Sequence, residues 1–532
     1  MVHSPVAFLR KLQTSSSSLA TELIFFSKYA QKSMKYSWQF ICQNNPLFIQ
    51  VTYFTLISFA GYAALKIIKP RDEQDTLKDI DLLFTSVSAS TVSSMATVEM
   101  EDFSSAQLCI LTILMLIGGE VFTSMLDLYF MRATSITKGS SNRKGYSVYV
   151  DNESITSAMS VPNNTQDTIV TMPLSELHLE EKKQVEPKII ESLGHALLVY
   201  LLVSNLGSSL VIYLYLISVP DAQGVLKRKG IGFVIFSVFT AVSSVANCGF
   251  TPVNENMIIF QKRSILLLLI IPQILAGNTL FAPCLRFLVW SLKKVTGQED
   301  YRFILQHPET IGYKHLMSSK ECVYLMSTVF SFIITQTILF CSLEWSSEAL
   351  RAMNSYEKII GALFQSTNAR HAGEYIVDLS SLSSAILVLY TVMMYLPGET
   401  SLLPRDGEQH SRAEIKHKRK RLLENWIFSQ LSYLAIFVML ICITEREALI
   451  TDPLNFNVFN ILFEVVSAYG NVGFSVGYSC KRLLNHDVYC KDASYGFVGK
   501  WSGKGKVILI IVMVFGRLKA FNMKGGRAWR LR

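Results

Sequence analysis

Long apolar runs alternate with short, mildly polar stretches along most of the chain. Leu47–Leu65, Ala106–Phe130, Gly194–Val219, Ser264–Leu292, Cys322–Leu343 and Ile427–Thr444 each approach the roughly 20 residues that a bilayer-spanning helix needs. Val507–Phe515 continues an apolar run into Gly516 and Arg517, and Ser384–Leu396 reaches spanning length if Val377–Ser383 extends it. The pattern predicts eight spans in four pairs. Met1–Asn45 precedes them, broken by Arg10, Lys11, Lys28, Lys32 and Lys35; it reads as a cytoplasmic extension rather than a cleavable signal. Within it, Leu19–Gln31 fits either a membrane-surface helix or plain disorder.

Between the members of each pair lies a shorter stretch, and the four stretches superpose without gaps. They run Phe84–Ser94, Phe239–Gly249, Leu363–Gly373 and Phe463–Gly473. Each begins on a large apolar residue. Six positions before each end stands a hydroxyl residue: Ser88, Ser243, Thr367 and Ser467. Five positions after the end stand Glu99, Asn254, Asp378 and Tyr478, and three of the four ends are glycine. Agreement at so many offsets marks a four-fold internal repeat.

Such a stretch is too short to cross a bilayer and too polar to face lipid. Non-helical backbone at membrane depth must be buried in protein or line a watery cavity. Each stretch is therefore expected to enter as a half-helix and return extended. The helix C-terminus then aims partial negative charge at a cation, and the return offers carbonyls that replace its hydration shell. Glycine lets such a carbonyl turn inward at positive φ. The expected fold is an all-α polytopic membrane protein of four fused helix–pore loop–helix repeats with pseudo-four-fold symmetry. A transporter with re-entrant loops and no filter is the competing reading.

Composition agrees. Half of the 532 residues are hydrophobic and 17% charged, and the mean hydropathy is +0.31. The net charge of +9 comes from basic residues that flank spans, which is how orientation is set, and does not imply nucleic acid. The loops after spans two, four and six each carry a group of them, placing those loops and both termini in the cytoplasm; Lys227, Arg228 and Lys229 are an exception on the outer side. The basic run Lys416–Arg421 fits an inner-leaflet anchor or an anionic-lipid site. The sequons at Asn152 and Asn163 then face the cytoplasm and are chance matches. Cys480 and Cys490 lie in a polar outer loop, where a disulfide is possible. The sequence holds no GxxxxGK[ST], HExxH or CxxC pattern, so no enzyme and no cofactor is expected.

These residues resemble the Trk/Ktr/HKT superfamily of potassium and sodium transporters, and within it the plant HKT group. The resemblance is carried by Ser90–Phe103, Ala246–Phe250, Arg370–Glu374, Tyr469–Phe474, Gly118–Ser124, Cys490–Gly496 and Gly516–Lys519. It implies a selectivity filter of Ser94, Gly249, Gly373 and Gly473, with Na+ held transiently at the filter carbonyls. In that group a serine at the first position goes with sodium-preferring uniport and a glycine with potassium permeation or symport, though some serine-bearing members belong to the symport branch. Ser93, Asn247 and Asn471 flank the filter. Arg517 is implied to restrict the pore below it; a snorkelling helix-end anchor is the alternative. Glu99, Asp378 and Glu374 fit an acidic outer vestibule, with bracing of the loop by Arg370 as the alternative for Glu374. Glu120 and Asn278 are polar groups inside spans, expected to be satisfied structurally.

The expected organisation is a cytoplasmic extension over 1–46, repeat 1 over 47–132, a linker over 133–189, and repeat 2 over 190–295. A linker over 296–319, repeat 3 over 320–398, a basic linker over 399–426, repeat 4 over 427–523 and a tail over 524–532 follow. The expected protein moves Na+, possibly K+, passively in the plasma membrane, as a homodimer by resemblance. A sodium–potassium symporter and a pore subunit needing a cytoplasmic nucleotide-binding partner are the alternatives.

Overall fold

The computed structural model describes residues 46–71, 77–129, 146–151, 154–159, 187–370, 372–396, 430–483 and 494–522. Most of the N-terminal extension with its Leu19–Gln31 stretch, both sequon asparagines, the Lys416–Arg421 run, Cys490 and the 524–532 tail lie outside these residues. The chain forms two compact units, Met1–Leu56 and Ile57–Arg532. Of the first unit, residues 46–56, the opening turns of one helix, are described.

Each repeat has an opening helix, a pore helix, an extended return and a closing helix. In repeat 1 the helices are Pro46–Ile67, Asp79–Ser90 and Ser105–Gly118; in repeat 2, Pro187–Ser218, Phe233–Ala246 and Ser264–Gly277. In repeat 3 they are Ser319–Glu344, Ser355–Asn368 and Ser384–Tyr395; in repeat 4, Gln430–Thr444, Val458–Gly470 and Gly503–Asn522. The chain writes several of these starts locally. Capping boxes pair Ser104 with Gln107, Ser318 with Glu321 and Asn354 with Glu357. The pore helices, 12–14 residues each, reach only about 20 Å at 1.5 Å per residue, short of the roughly 30 Å hydrocarbon core.

The repeats close on one another in a ring. The closing helix of repeat 1 packs on the pore helix of repeat 2, that of repeat 2 on pore helix 3, and that of repeat 3 on pore helix 4; the last returns to pore helix 1. Gly118, Gly277 and Gly516 let closing helices lie directly on backbone, because a Cβ there would strike the carbonyls of Ser90, Val245 and Tyr469.

Two expected spans are broken. Ala106–Phe130 divides at Gly119 into Ser105–Gly118 and Glu120–Tyr129, bent by 52°. Ser264–Leu292 divides into Ser264–Gly277 and Phe281–Thr296, bent by 88°. Apolar content alone hid both breaks, since the piece after the second break buries its own stripe, Phe281, Leu285 and Val289, in a separate cluster. Val377–Ser383 does not extend the closing helix of repeat 3, because Leu379–Ser381 is a 3-10 turn. A two-stranded hairpin, Tyr146–Asp151 with Ser154–Met159, lies in the linker after repeat 1; the repeats themselves are helical.

Candidate functional site: the ring of extended returns

Ser94, Gly249, Gly373 and Gly473 meet at the centre of the four returns. All four have positive φ, at 52°, 89°, 69° and 96°, a region open to glycine and unusual for serine. A Cβ on Gly249 would fall on the carbonyl of Ala372, one on Gly373 on that of Val472, and one on Gly473 on Ser94 and the carbonyl of Ser93. The fourth side is closed by the Cys248 thiol, which lies against the backbone of Ser94. Glycine is thus required three times over, by backbone angle and by lack of room. Ser94 keeps its side chain because its neighbour Gly473 has none.

Behind the ring the repeats share a brace. The N–H of Ser93, Cys248 and Val472 donates to the carbonyl of the hydroxyl residue five positions earlier, at 2.8, 2.8 and 3.0 Å. The hydroxyls of Ser243 and Ser467 also accept from the N–H of Gly249 and Gly473, at 3.0 and 3.1 Å. In repeat 1 the Ser88 hydroxyl has no such partner among the described residues. Repeat 3 slips by one residue from the gapless register. Its Thr367 hydroxyl bonds back to Leu363, while the Asn368 carbonyl and amide oxygen accept from Gly373 and Glu374. Phe364, not Leu363, is the fully buried ring. A return one residue shorter explains the slip.

In repeats 2 and 4 the residue two before the ring position, Asn247 at 57° and Asn471 at 52°, is the left-handed C-cap of its pore helix; in repeat 1 the residue at that offset, Val92, is also left-handed at 52° and follows the right-handed cap Thr91. The Asn247 amide donates to Ile274 O at 3.0 Å. The Asn471 amide donates to Met513 O at 3.0 Å and to Ser93 Oγ at 2.7 Å. Both asparagines thus tie their returns to a closing helix, and Asn471 also joins repeats 4 and 1. Ser93 Oγ continues to Thr91 at 2.8 Å.

On the face where the returns emerge, the four corners are fastened differently. Between repeats 1 and 2, Asn254 exchanges backbone–side chain bonds with Glu101 and donates to Glu99 at 2.6 Å. Lys229 lies 2.8 Å from Glu101 and 2.6 Å from Glu255, and the attraction of these two carboxylates raises its pKa against the opposing effect of desolvation, which is the largest single influence. This ends the anomaly of the Lys227–Lys229 run: it closes helix Pro220–Lys229, where positive charge suits the C-terminal dipole, and its last member clasps the corner. Between repeats 2 and 3, Met257 N–H donates to Tyr375 O at 3.1 Å. Between 3 and 4, Arg482 donates to Ser380 O at 2.8 Å. Between 4 and 1, Gly496 N–H donates to Ala96 O at 3.1 Å and Ser494 N–H to Glu99 at 3.3 Å.

Of the three acidic vestibule candidates, Glu99 lines the cavity that also borders Ser94, Gly249 and Gly473. Asp378 instead caps the Leu379–Ser381 turn through Ser380 N–H. Glu374 is fully buried and accepts from the Ser244 hydroxyl at 2.7 Å, so it stands behind the loops and not at an open mouth. Cys480 is disulfide-bonded; its expected partner Cys490 lies outside the described residues.

Arg517 is buried and donates to Gly118 O at 2.6 Å, at the break of the first closing helix. Glu120 is the next residue but one, 3.8 Å from His315. Asn278 sits at the 88° break rather than inside a continuous span. Sequence reasoning missed one pair, Lys506 with Asp81 at 2.7 Å, both buried, joining the last closing helix to the start of pore helix 1. A lysine in an apolar run facing an acid at a pore-helix start was the available signal.

The TrkH family, described as a cation transport protein, matches residues 169–524. The chain is 70% identical over the full length of both chains to rice cation transporter HKT1;3. It is 48% identical to the Arabidopsis thaliana sodium transporter HKT1, over 88% of this chain and 92% of that one. Against rice cation transporter HKT2;4 it is 36% identical over 91% and 94%. The chain belongs to the TrkH family of membrane cation transport proteins, within the plant HKT group of the Trk/Ktr/HKT superfamily.

Proposed function

We propose that the protein conducts sodium passively through one central pore per chain, with Ser94, Gly249, Gly373 and Gly473 as its selectivity filter. The observation that carries this reading is the ring of four positive-φ residues, three of them glycine and one serine. Four pore-helix C-termini converge on it, which favours a cation. A side chain at one of the four inward turns interrupts the carbonyl ring that replaces potassium's hydration shell. The smaller sodium ion is held with fewer protein ligands and retained water.

Three further features support the reading. A relative that is 48% identical is a sodium transporter, while the HKT2;4 relative is less similar, at 36%. Glu99 borders the outer mouth and raises the local cation concentration. Arg517, fixed on Gly118 O, places a positive charge below the filter, where it opposes cations arriving from the cytoplasm. Each ion entering gains about 2.3 kcal/mol per 100 mV of membrane potential, and nothing else is needed to drive it. The reading includes a plasma-membrane homodimer with separate pores and cytoplasmic termini. Its rival is a sodium–potassium symporter on the same fold.

The test is the reversal potential in an otherwise silent cell as external sodium and potassium are varied. Reversal should follow sodium and barely respond to potassium, and Ser94→Gly should add potassium permeability. Unchanged selectivity in that variant defeats the assignment.

A further inference from the structure

We infer that Asn256 is a positioning residue for ion selectivity: it fastens the filter corner between repeats 2 and 3 and engages the carbonyl of Gly249 from the mouth side. The inference rests on the filter reading above.

Asn256 is buried, borders the same cavity as Ser94, Gly249 and Gly473, and has left-handed backbone at φ 56°. Asparagine accepts that region better than most residues, since its short side chain bonds locally. Its amide nitrogen lies 3.5 Å from Gly249 O. Its amide oxygen accepts from Met257 N–H at 2.8 Å and from Tyr375 N–H at 3.4 Å. Met257 N–H also reaches Tyr375 O at 3.1 Å. Tyr375 is two residues beyond Gly373, so one side chain spans the returns of two filter positions.

A primary amide suits this place because it donates and accepts at once. The residues at the same offset in the other repeats do otherwise. Glu101 is held by Lys229 and Asn254, the Ser380 hydroxyl bonds to Asp378, and Cys480 is disulfide-bonded. A carbonyl that already accepts a hydrogen bond ligates a passing ion less well. With Ser94 interrupting the first position and Asn256 occupying the second, two of the four ligand positions are weakened. That asks little of sodium and much of potassium.

The test uses the full-length protein in a silent cell and reads the potassium-to-sodium permeability ratio from bi-ionic reversal potentials, with surface expression as a control. Asn256→Asp keeps size and acceptor but cannot donate. Asn256→Gly keeps the positive φ and removes both functions without adding charge. Both should raise the ratio, by about two- to fivefold, the worth of one ordinary hydrogen bond. Asn256 is buried, where salt screens an added charge little, so the uncharged Gly variant separates loss of the donor from the charge of Asp. If Gly fails to reach the surface, the uncharged Asn256→Ser, too short to reach Gly249 O, takes its place. A shift in Asp with none in a conducting uncharged variant, or an unchanged ratio in a conducting variant, overturns the inference. If Ser94→Gly shifts selectivity while the Asn256 variants do not, the inference fails and the filter reading stands. If none shifts it, both fail.

Discussion

Repeats 1 and 4 meet at the ring of returns, yet repeat 4 has both halves of the brace and repeat 1 only the backbone half. In repeat 4 the left-handed positions carry Asn471 and Gly473, residues suited to them, and the Ser467 hydroxyl holds the filter amide. In repeat 1 the same positions carry Val92 and Ser94, and the Ser88 hydroxyl finds no partner among the described residues. A β-branched residue at positive φ is a strained placement. The loop bearing the odd side chain of the ring is therefore also the loop with the least local support. It is held from outside instead: Asn471 reaches Ser93, Lys506 holds Asp81, and Gly496 and Ser494 fasten its return. The difference shows how strain at a functional position can persist when its neighbours over-determine it.

The harshest way to break this contrast is Gly473→Ala. A Cβ there meets Ser94 and the Ser93 carbonyl at a φ that alone costs about 1–2 kcal/mol, with overpacking adding about 1–3 kcal/mol. Loss of sodium current is expected, with much reduced folded protein at the cell surface. Normal currents would mean that the ring has slack the structure does not have.

Next comes the buried pair. Lys506→Met leaves Asp81 charged and uncompensated, for about 3–5 kcal/mol of lost stability. Adding Asp81→Leu should recover much of it, because replacing both partners by apolar groups is often near neutral. Thermal unfolding of the purified protein checks this. A double variant no more stable than the single would show that the pair is not what ties repeat 1 to repeat 4.

A milder comparison sets Ser467→Ala against Ser88→Ala. The first strips the Gly473 amide of its acceptor and should cost about 1–3 kcal/mol. The second removes a hydroxyl without such a bond and should cost at most about 0.5 kcal/mol. Equal melting shifts would erase the asymmetry.

One variant is expected to gain stability. Val92→Asn gives repeat 1 the cap of repeats 2 and 4 and should stabilise by about 1 kcal/mol through relieved strain. A drop in melting temperature would locate the strain elsewhere.

Much of this was legible in the chain. The apolar runs located the helices, and the gapless register located the four pore loops, because a pore loop must satisfy its backbone within a short stretch and does so with the same residue types each time. The register slipped at Thr367 because a return shortened by one residue leaves no mark in sequence. Glu374 was left open between the outer mouth and a brace for a related reason: adjacency to the ring glycine Gly373 does not say whether a side chain faces the mouth or the protein behind it. Both broken spans were read as continuous because a helix that turns 88° and buries a second apolar stripe has the composition of one that runs straight.

By itself, then, the sequence determined the repeat, the pore helices and the residues that end them, since each depends on contacts within one repeat. Tertiary structure decided everything that depends on contacts between repeats. It set the cyclic docking of each closing helix on the next pore helix, and the lack of room for a Cβ between each ring glycine and its neighbour's carbonyl. It also paired Lys506 with Asp81 and fastened the four corners differently. Those partners lie from about a hundred to more than four hundred residues apart in the chain, and only closing the ring brings them within reach of one another.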